Sequence, residues 1–396
     1  MLSNRTTPGV YIQELLAPSH AITAVPTSLC AFLGRASIGP LDAPSTISSF
    51  VDFQNLYGPL DTAFPMSYAV YDFFNNGGNT AIIVRLSHPT PGDPNAPLAV
   101  SDYLGNQSTR TGLYQLETVA LFNILCIPPD TLSGDTDPAV YAAAATYCLQ
   151  RQAMLLVDPP AKWAAEFKQG KSISPSDIPI PTAAASNTAV YFPRVIGVDP
   201  ATNQSTTRVP CGAVAGIWAQ TDLDVGVFKA PAGITAELRG ISDLELHLTD
   251  AQNGLLNAAD INCLRLFPTY GIVAWGARTL ETNDSDWVYI SVRRLALYIE
   301  TSLKAGLQWA VFEPNDETLW AQLRFTVTSF MNSLWQQGAL VGSTASSSYQ
   351  VRCDASTTTA PDIDAGIVNI VILFAPVRPA EFIVLQIAQR AGQPTA

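Results

Sequence analysis

Short apolar runs that alternate with segments of helical spacing are the feature that most constrains how this chain can fold. The runs indicate buried strands, because each is continuously apolar and only five to eight residues long. The helical segment from Ser67 to Phe74 is followed by Asn75 and Gly78, residue types that end helices. In chain order the sequence predicts strand 27–34, helix 67–74, strands 81–85 and 122–127, helix 139–151, and strands 153–157 and 189–193. This alternation favours an α/β fold over an all-β fold.

The last third of the chain contains two long helices with recognisable start and stop signals. They are predicted at 284–306 and 315–337, and the glycines that close them are Gly306 and Gly338. Each begins with a side chain that can cap a helix and places apolar residues three or four positions apart. Strands are also predicted at 308–312, 366–374 and 381–389, and polar or mostly irregular segments at 89–112, 170–186, 197–233 and 343–359.

The surface of this protein carries unusually few charges. Only 14% of the 396 residues are charged, while 47% are hydrophobic. An ordinary soluble domain has about 25% charged residues, and exposed apolar area without a partner favours aggregation. The composition therefore indicates a surface partly covered by other protein, and the length indicates two or three domains.

The charge balance excludes nucleic acid as a partner. The formal net charge is −12 with a pI near 4.6, whereas binding a phosphate backbone requires a basic patch. Residues 263–396 hold 11 of the 33 acidic and 9 of the 21 basic side chains, which leaves 22 and 12 for residues 1–262. The two parts of the chain are thus suited to different neighbours.

The sequence offers little for catalysis or metal binding. The histidines His20, His88 and His247 have no cysteine or paired carboxylate at metal-ligand spacing, and the six cysteines form no CxxC pair. Solvated histidines and buried free thiols explain these residues, so no metal and no cofactor is expected. The nucleotide-binding and nucleophile motifs of common enzyme classes are missing too. A soluble α/β enzyme of an unrecognised class remains the alternative.

An acidic group at the start of the second long helix invites two interpretations. Glu313, Asp316 and Glu317 could act in acid–base chemistry. However, a helix N-terminus favours anions electrostatically, so helix stability alone accounts for them.

Nothing in the sequence predicts secretion or direct membrane insertion. The first residues lack the apolar core of a signal peptide, and the longest apolar run, 366–376, is about half the roughly 18 residues of a spanning helix. The chain is therefore expected to be cytoplasmic when it is made.

The two ends of the chain are strand-forming segments without an obvious hairpin partner. Proline-containing linkers, 17–26 and 375–381, separate them from the rest of the chain. Unpaired strands either pack on the chain's own sheet or join the edge of another sheet, and both interpretations stay open. The residues of these arm strands are Val10, Tyr11, Ile12, Gln13 and Glu14 at the front and Phe382, Ile383, Val384, Leu385, Gln386 and Ile387 at the end.

An ordered set of segments resembles the contractile tail sheath family of myophages and related phage-tail-like particles. The resemblance covers nearly the whole chain in the family's order. Its segments include TPGVYIQE at 7–14, AFLGRA at 31–36, FFNNGG at 73–78, LVDPP at 156–160, WGARTL at 275–280, WAVFEPN at 309–315 and APVRPAEF at 375–382. Departures are Cys211, where the family usually has Ser or Pro, and the insertion near 89–112.

The resemblance implies a mixed α/β protein with an inner C-terminal domain, an inserted outer domain and terminal β-strand arms that pair with neighbouring subunits. The corresponding ranges are 1–26 for the N-terminal arm and linker, 27–262 for the outer domain, 263–374 for the inner domain and 375–396 for the C-terminal linker and arm. It further implies hexameric rings stacked around an inner tube, baseplate and tail-terminator proteins as partners, and a mechanical function without a cofactor. The particle would be a virion tail or an extracellular phage-tail-like particle.

The surface that faces the tube is expected on the second long helix. This helix lies in the nearly charge-balanced part of the chain, and four of its polar residues lie off the apolar line. They are Asp316, Glu317, Gln322 and Arg324.

Overall fold

The chain forms two compact units. The computed structural model describes residues 20–41, 43–87, 93, 96–200 and 202–382. Within those residues the larger unit comprises 25–301 and 376–382, and the smaller unit comprises 20–24 and 302–375. The units thus change at residues 301 and 302, and the assignment of an outer domain to 27–262 and an inner domain to 263–374 stays a prediction.

The helices of the larger unit surround its sheet, and those of the smaller unit centre on one long helix. In the larger unit they are α1 (Phe50–Tyr57), α2 (Met66–Asn75), α3 (Val100–Leu104), α4 (Pro138–Gln150), α5 (Lys162–Lys168), α6 (Cys211–Asp224) and α7 (Asp250–Ala258). Helix α8 (Ile290–Gly306) spans the change of unit. The smaller unit adds α9 (Glu317–Gln336), α10 (Ala345–Ser348) and α11 (Ala360–Asp364).

The strands of the described residues form one large and two small sheets. They are β1 (Cys30–Gly34), β2 (Ser45–Ile47), β3 (Ala81–Arg85), β4 (Ile124–Cys126), β5 (Met154–Val157), β6 (Thr188–Phe192), β7 (Val195–Val198), β8 (Ser205–Arg208), β9 (Asp243–Leu244), β10 (Asn262–Phe267), β11 (Gly271–Ala274), β12 (Tyr349–Arg352) and β13 (Val371–Phe374). The large sheet has the order β11-β10-β6-β5-β4-β1-β3-β2, with parallel pairing from β10 to β3 and antiparallel strands at both edges. This arrangement confirms the α/β prediction.

The large sheet is buried on both faces. Successive residues of β1 point into different cores, Cys30 and Phe32 into one and Ala31 and Leu33 into the other, and all are fully buried. Parallel strands covered by helices on both faces are expected to be continuously apolar. That is why their sequences stand out as uninterrupted apolar runs.

The prediction of mostly loops at 197–233 is wrong, because helix α6 occupies the middle of that range. The helix is buried over its first nine residues and has no polar face to reveal a helical period. Gly212 and Gly216 lie against α2: a Cβ atom added to Gly212 would be 2.0 Å from the Ala69 carbonyl oxygen, and one on Gly216 2.6 Å from that of Phe73. The two glycines therefore allow the helix backbones to touch.

Three further predictions need correction. The strand expected at 308–312 is a 3₁₀ turn, Gln308–Ala310, and Phe312 follows with a positive φ of 71° that no strand adopts. The presumed insertion at 89–112 contains the short helix α3, which buries Tyr103. Helix α8 begins only at Ile290, because Thr279 holds residues 287 and 288 in a loop through bonds to their carbonyl groups.

Replacing Gly212 by alanine should destabilise the unassembled protein by about 2 kcal/mol or more, since the new methyl group would meet backbone atoms that cannot move aside. Gly254 of α7 provides the matched control, because a Cβ atom there meets nothing within 4 Å. Gly254→Ala should stabilise the protein by about 0.5–1 kcal/mol through helix propensity. Urea unfolding of both variants checks the pair, and equal effects would contradict the proposed helix contact.

Candidate functional site: assembly surfaces

Helix α9 organises the smaller unit. The Asp316 carboxylate accepts a hydrogen bond of 2.9 Å from the Leu319 amide and so caps the helix. One face buries Leu319, Trp320 and Leu323 against Cys353 and half-buried apolar neighbours. The opposite face is exposed and includes Phe325, whose side chain is 74% accessible. An exposed phenylalanine in the middle of a polar helix face marks a candidate contact surface.

The four predicted tube-facing residues all lie on or next to the first two turns of α9. Asp316 is used as the cap, and Arg324 donates to the Cys353 carbonyl and lies 3.7 Å from the Glu317 carboxylate. Gln322 is exposed on the solvent-facing side of α9. The helix-stabilising interpretation of the acidic residues is therefore supported for Asp316.

The smaller unit also contains a two-stranded antiparallel sheet, β12–β13, of which β13 lies within the strand predicted at 366–374 while β12 was not predicted. Among the described residues no third strand pairs with it. Tyr349 and Phe374, on the same face, are half-buried, and the Tyr349 hydroxyl lies 3.4 Å from the Thr328 carbonyl of α9. On the other face Val371 and Leu373 are 39% and 51% exposed. Two four-residue strands are marginally stable by themselves, and packing on a helix, here α9 beside Tyr349, or a further strand stabilises such a pair.

The arm strands themselves lie outside the described residues. This holds for Val10 to Glu14 and for Ile383 to Ile387, while Phe382 is described, 77% exposed and not in a strand. The linker that follows the N-terminal segment rests on the smaller unit. There the His20 ring stacks on Trp309 at 3.9 Å between ring centroids, and Ile22 packs against Gly306.

The larger unit has a polar cavity of about 260 Å³ beyond the carboxyl ends of β4 and β5. Ligands often bind at such ends of parallel strands. Here, however, Arg194 pairs with Asp135 at 2.6 Å, and Lys162 lies 3.5 Å from Asp177. The remaining carboxylate, Asp158, is buried and accepts a bond of 3.0 Å from the backbone amide that begins α6. These polar groups serve the fold.

No metal or membrane site emerges from the part of the chain that the structure describes. All six cysteines are buried free thiols, as predicted, and burial raises the pKa of Cys30 and Cys126. The described residues contain no group of three His, Cys, Asp or Glu side chains that could hold a metal ion. None of the described helices is both long and apolar enough to cross a bilayer.

Comparisons with known proteins agree along most of the chain. The family model "Phage tail sheath protein central domain" matches residues 104–280, and "Phage tail sheath C-terminal domain" matches residues 282–390. A prophage major tail sheath protein of Pseudomonas aeruginosa is 29% identical over 188 residues, which is 46% of each protein. The chain thus spans about half the length of that curated relative.

Two solved sheath structures match nearly end to end. The helical sheath of the anti-feeding prophage in its contracted state is 31% identical, with 97% of this chain and 99% of that chain covered and a TM-score of 0.75. The contracted sheath complex of the extracellular contractile injection system PVC is 28% identical, with 98% and 99% covered and a TM-score of 0.74.

The buried Asp158 should make stability depend on pH. Burial raises its pKa to about 7, and the bond from the Cys211 amide only partly offsets this. A raised carboxyl pKa stabilises the fold below about pH 4, and this contribution is lost as the pH rises through 7, because the unfolded state ionises first. Asp158→Asn should therefore match the wild type near pH 4 and exceed it in melting temperature by a growing margin up to pH 8. A constant difference across this range in thermal unfolding would contradict the burial effect.

Proposed function

Because the chain belongs to the phage tail sheath family, we propose that it is the structural sheath subunit of a contractile tail or phage-tail-like injection particle. Tail sheath proteins are structural, so the alternative of a soluble enzyme is set aside. The subunits would polymerise as stacked hexameric rings around an inner tube and contract to drive that tube through a target membrane. The related solved structures are helical sheath and baseplate assemblies.

The observation that carries this proposal is the incomplete sheet β12–β13. A two-stranded sheet with exposed Val371 and Leu373 has edges that can accept further strands. The strand-forming ends of the chain, Val10 to Glu14 and Phe382 to Ile387, would supply those strands from neighbouring subunits. Backbone hydrogen bonds formed this way would link the subunits into a continuous mesh.

The smaller unit would take the inner position, because helix α9 lies in the nearly charge-balanced part of the chain. Helix α9 would meet the tube through Asp316, Glu317, Gln322 and Arg324, and the larger unit would form the outer part of the sheath. Baseplate and tail-terminator proteins would contact the two ends of the assembled cylinder. The chain would be made in the bacterial cytoplasm and become part of a virion tail or an extracellular particle, with no nucleic acid partner and no cofactor.

Purified chain should assemble into tubes or long cylinders visible by electron microscopy, and blocking the strand exchange should prevent this. Deleting residues 1–16, or substituting Leu373→Lys at the exposed sheet face, should leave a folded protein that no longer polymerises, because a lysine resists strand addition. Leu255→Lys makes the same change at a 69% exposed leucine of the larger unit and should polymerise normally. Normal cylinders from the truncated chain would refute the exchange of arms.

The tube contact is tested best at Gln322, because Asp316 and Arg324 already serve the fold and their replacement would weaken the helix. Gln322→Glu adds one negative charge to the exposed face and should lower co-assembly with the tube protein by about tenfold if charges meet there. The melting temperature of the unassembled variant should not change. Ser329→Glu, also on the exposed side of α9 but nearer its C-terminal end, serves as the control for a general charge effect. Equal losses of co-assembly in both variants would place the tube contact away from the first two turns of α9.

A further inference from the structure

The linker to the C-terminal arm is fixed to the larger unit by an arginine. The Arg278 guanidinium donates two parallel hydrogen bonds to the Glu381 carboxylate, from Nε to Oε1 at 2.9 Å and from Nη2 to Oε2 at 2.5 Å. Both side chains are about one-fifth exposed, at 20% and 18%. Two-pronged arginine–carboxylate pairs fix geometry as well as distance. The position of residue 381 is thus set directly by a side chain 103 residues away.

Arg278 is itself a rigid support. Asn262 is the first residue of β10, and its side chain holds the Arg278 backbone by two hydrogen bonds. The Oδ1 atom accepts from the Arg278 amide at 2.7 Å, and Nδ2 donates to the Arg278 carbonyl at 2.7 Å. Asn262 is 1% exposed, and Gly276 provides the space for its side chain, since a Cβ atom there would be 2.8 Å from Oδ1. The arginine is therefore attached to the large sheet and moves with it.

A second carboxylate shares the Arg278 guanidinium. Asp260 lies 3.2 Å from the Arg278 guanidinium, so two carboxylates share one cation. The bond to Glu381 is the largest cause of a raised Arg278 pKa, with Asp260 adding to it. If Glu381 departs, Arg278 and Asp260 remain a neutral pair, and no half-buried charge is left alone.

A second tie lies three residues earlier in the linker. The Arg378 guanidinium is 2.6 Å from the Asp286 carboxylate, in an exposed position. Pro379, between the two ties, has a fixed φ angle and limits how far the segment can bend. Residues 378–381 are thus a short strap attached at both ends to the larger unit. The proline-containing linker at 375–381 is thus held over more than half its length.

We propose that Arg278 is a positioning residue for the C-terminal arm: its pairing with Glu381 fixes on the larger unit the point from which the arm reaches a neighbouring subunit. This inference rests on the proposed exchange of arms.

The strap can be tested on the unassembled full chain by measuring distances between two spin labels. Because the native cysteines are buried, labels can be placed selectively at Phe382→Cys and Leu255→Cys, which are exposed positions of the larger unit. The distance distribution should be narrow in the otherwise native chain and about twofold broader with Glu381→Arg, since the paired charge is reversed. Adding Arg278→Glu should narrow it in part, because the swap restores an ion pair between positions 278 and 381 but sets the new carboxylate beside Asp260. Glu166→Gln removes a carboxylate elsewhere and should change nothing.

Assembly of the unlabelled variants provides the functional readout. Glu381→Arg should raise the protein concentration needed for polymerisation by about tenfold at an unchanged melting temperature, and the double swap should restore it in part. A broad distribution in the native chain, or no response to Glu381→Arg, would overturn the strap whether or not cylinders form. If the native chain forms no cylinders while the distances behave as expected, the proposed sheath function fails and the strap stands.

Discussion

The close contact between α6 and α2 is the packing constraint on which the larger unit depends. Gly212 and Gly216 let the two backbones meet, and α6 then joins several other elements. Asp158, just after β5, accepts a hydrogen bond from the first amide of α6, and Trp218 Nε1 donates to the Tyr191 hydroxyl on β6 at 3.3 Å. Asp222 near its other end pairs with Arg294 of α8 at 2.6 Å in a buried position. One helix thus fixes the sheet and the start of α8 together.

The two units differ in how complete they are. The larger unit covers both faces of its large sheet, and in its polar cavity Arg194 pairs with Asp135 at 2.6 Å. The smaller unit has a two-stranded sheet and exposed Phe325, Val371 and Leu373. A fold that leaves apolar side chains and strand edges open in this way gains stability from a partner. Large exposed apolar side chains such as Leu255 occur in the larger unit too, so the two-stranded sheet, rather than apolar exposure, distinguishes the smaller unit.

Segments with strong local signals, such as caps and a regular apolar line, were predicted correctly from the sequence, and segments without such signals were missed. Helix α9 was predicted almost to its ends, because a capping aspartate, a regular apolar line and Gly338 all agree. Helix α6 was missed since a helix buried on all sides has no polar face. Strand β12 was missed because its four residues, although they alternate between apolar and polar, lie inside a polar Ser/Thr segment and are too few to stand out. The signal for α6 was the pair of glycines four positions apart in an apolar segment.

The sequence by itself determined the α/β class, the buried thiols, the positions of the amphipathic helices and the family resemblance, because these depend on local periodicity, capping and composition. Only the tertiary structure decided which charged residues are already engaged. Arg324 bonds the Cys353 carbonyl, and Arg278 finds Glu381 103 residues further along the chain. Such pairings depend on how distant segments are brought together by the sheet and its helices. Periodicity and spacing along the chain do not show which distant residues meet in the folded protein.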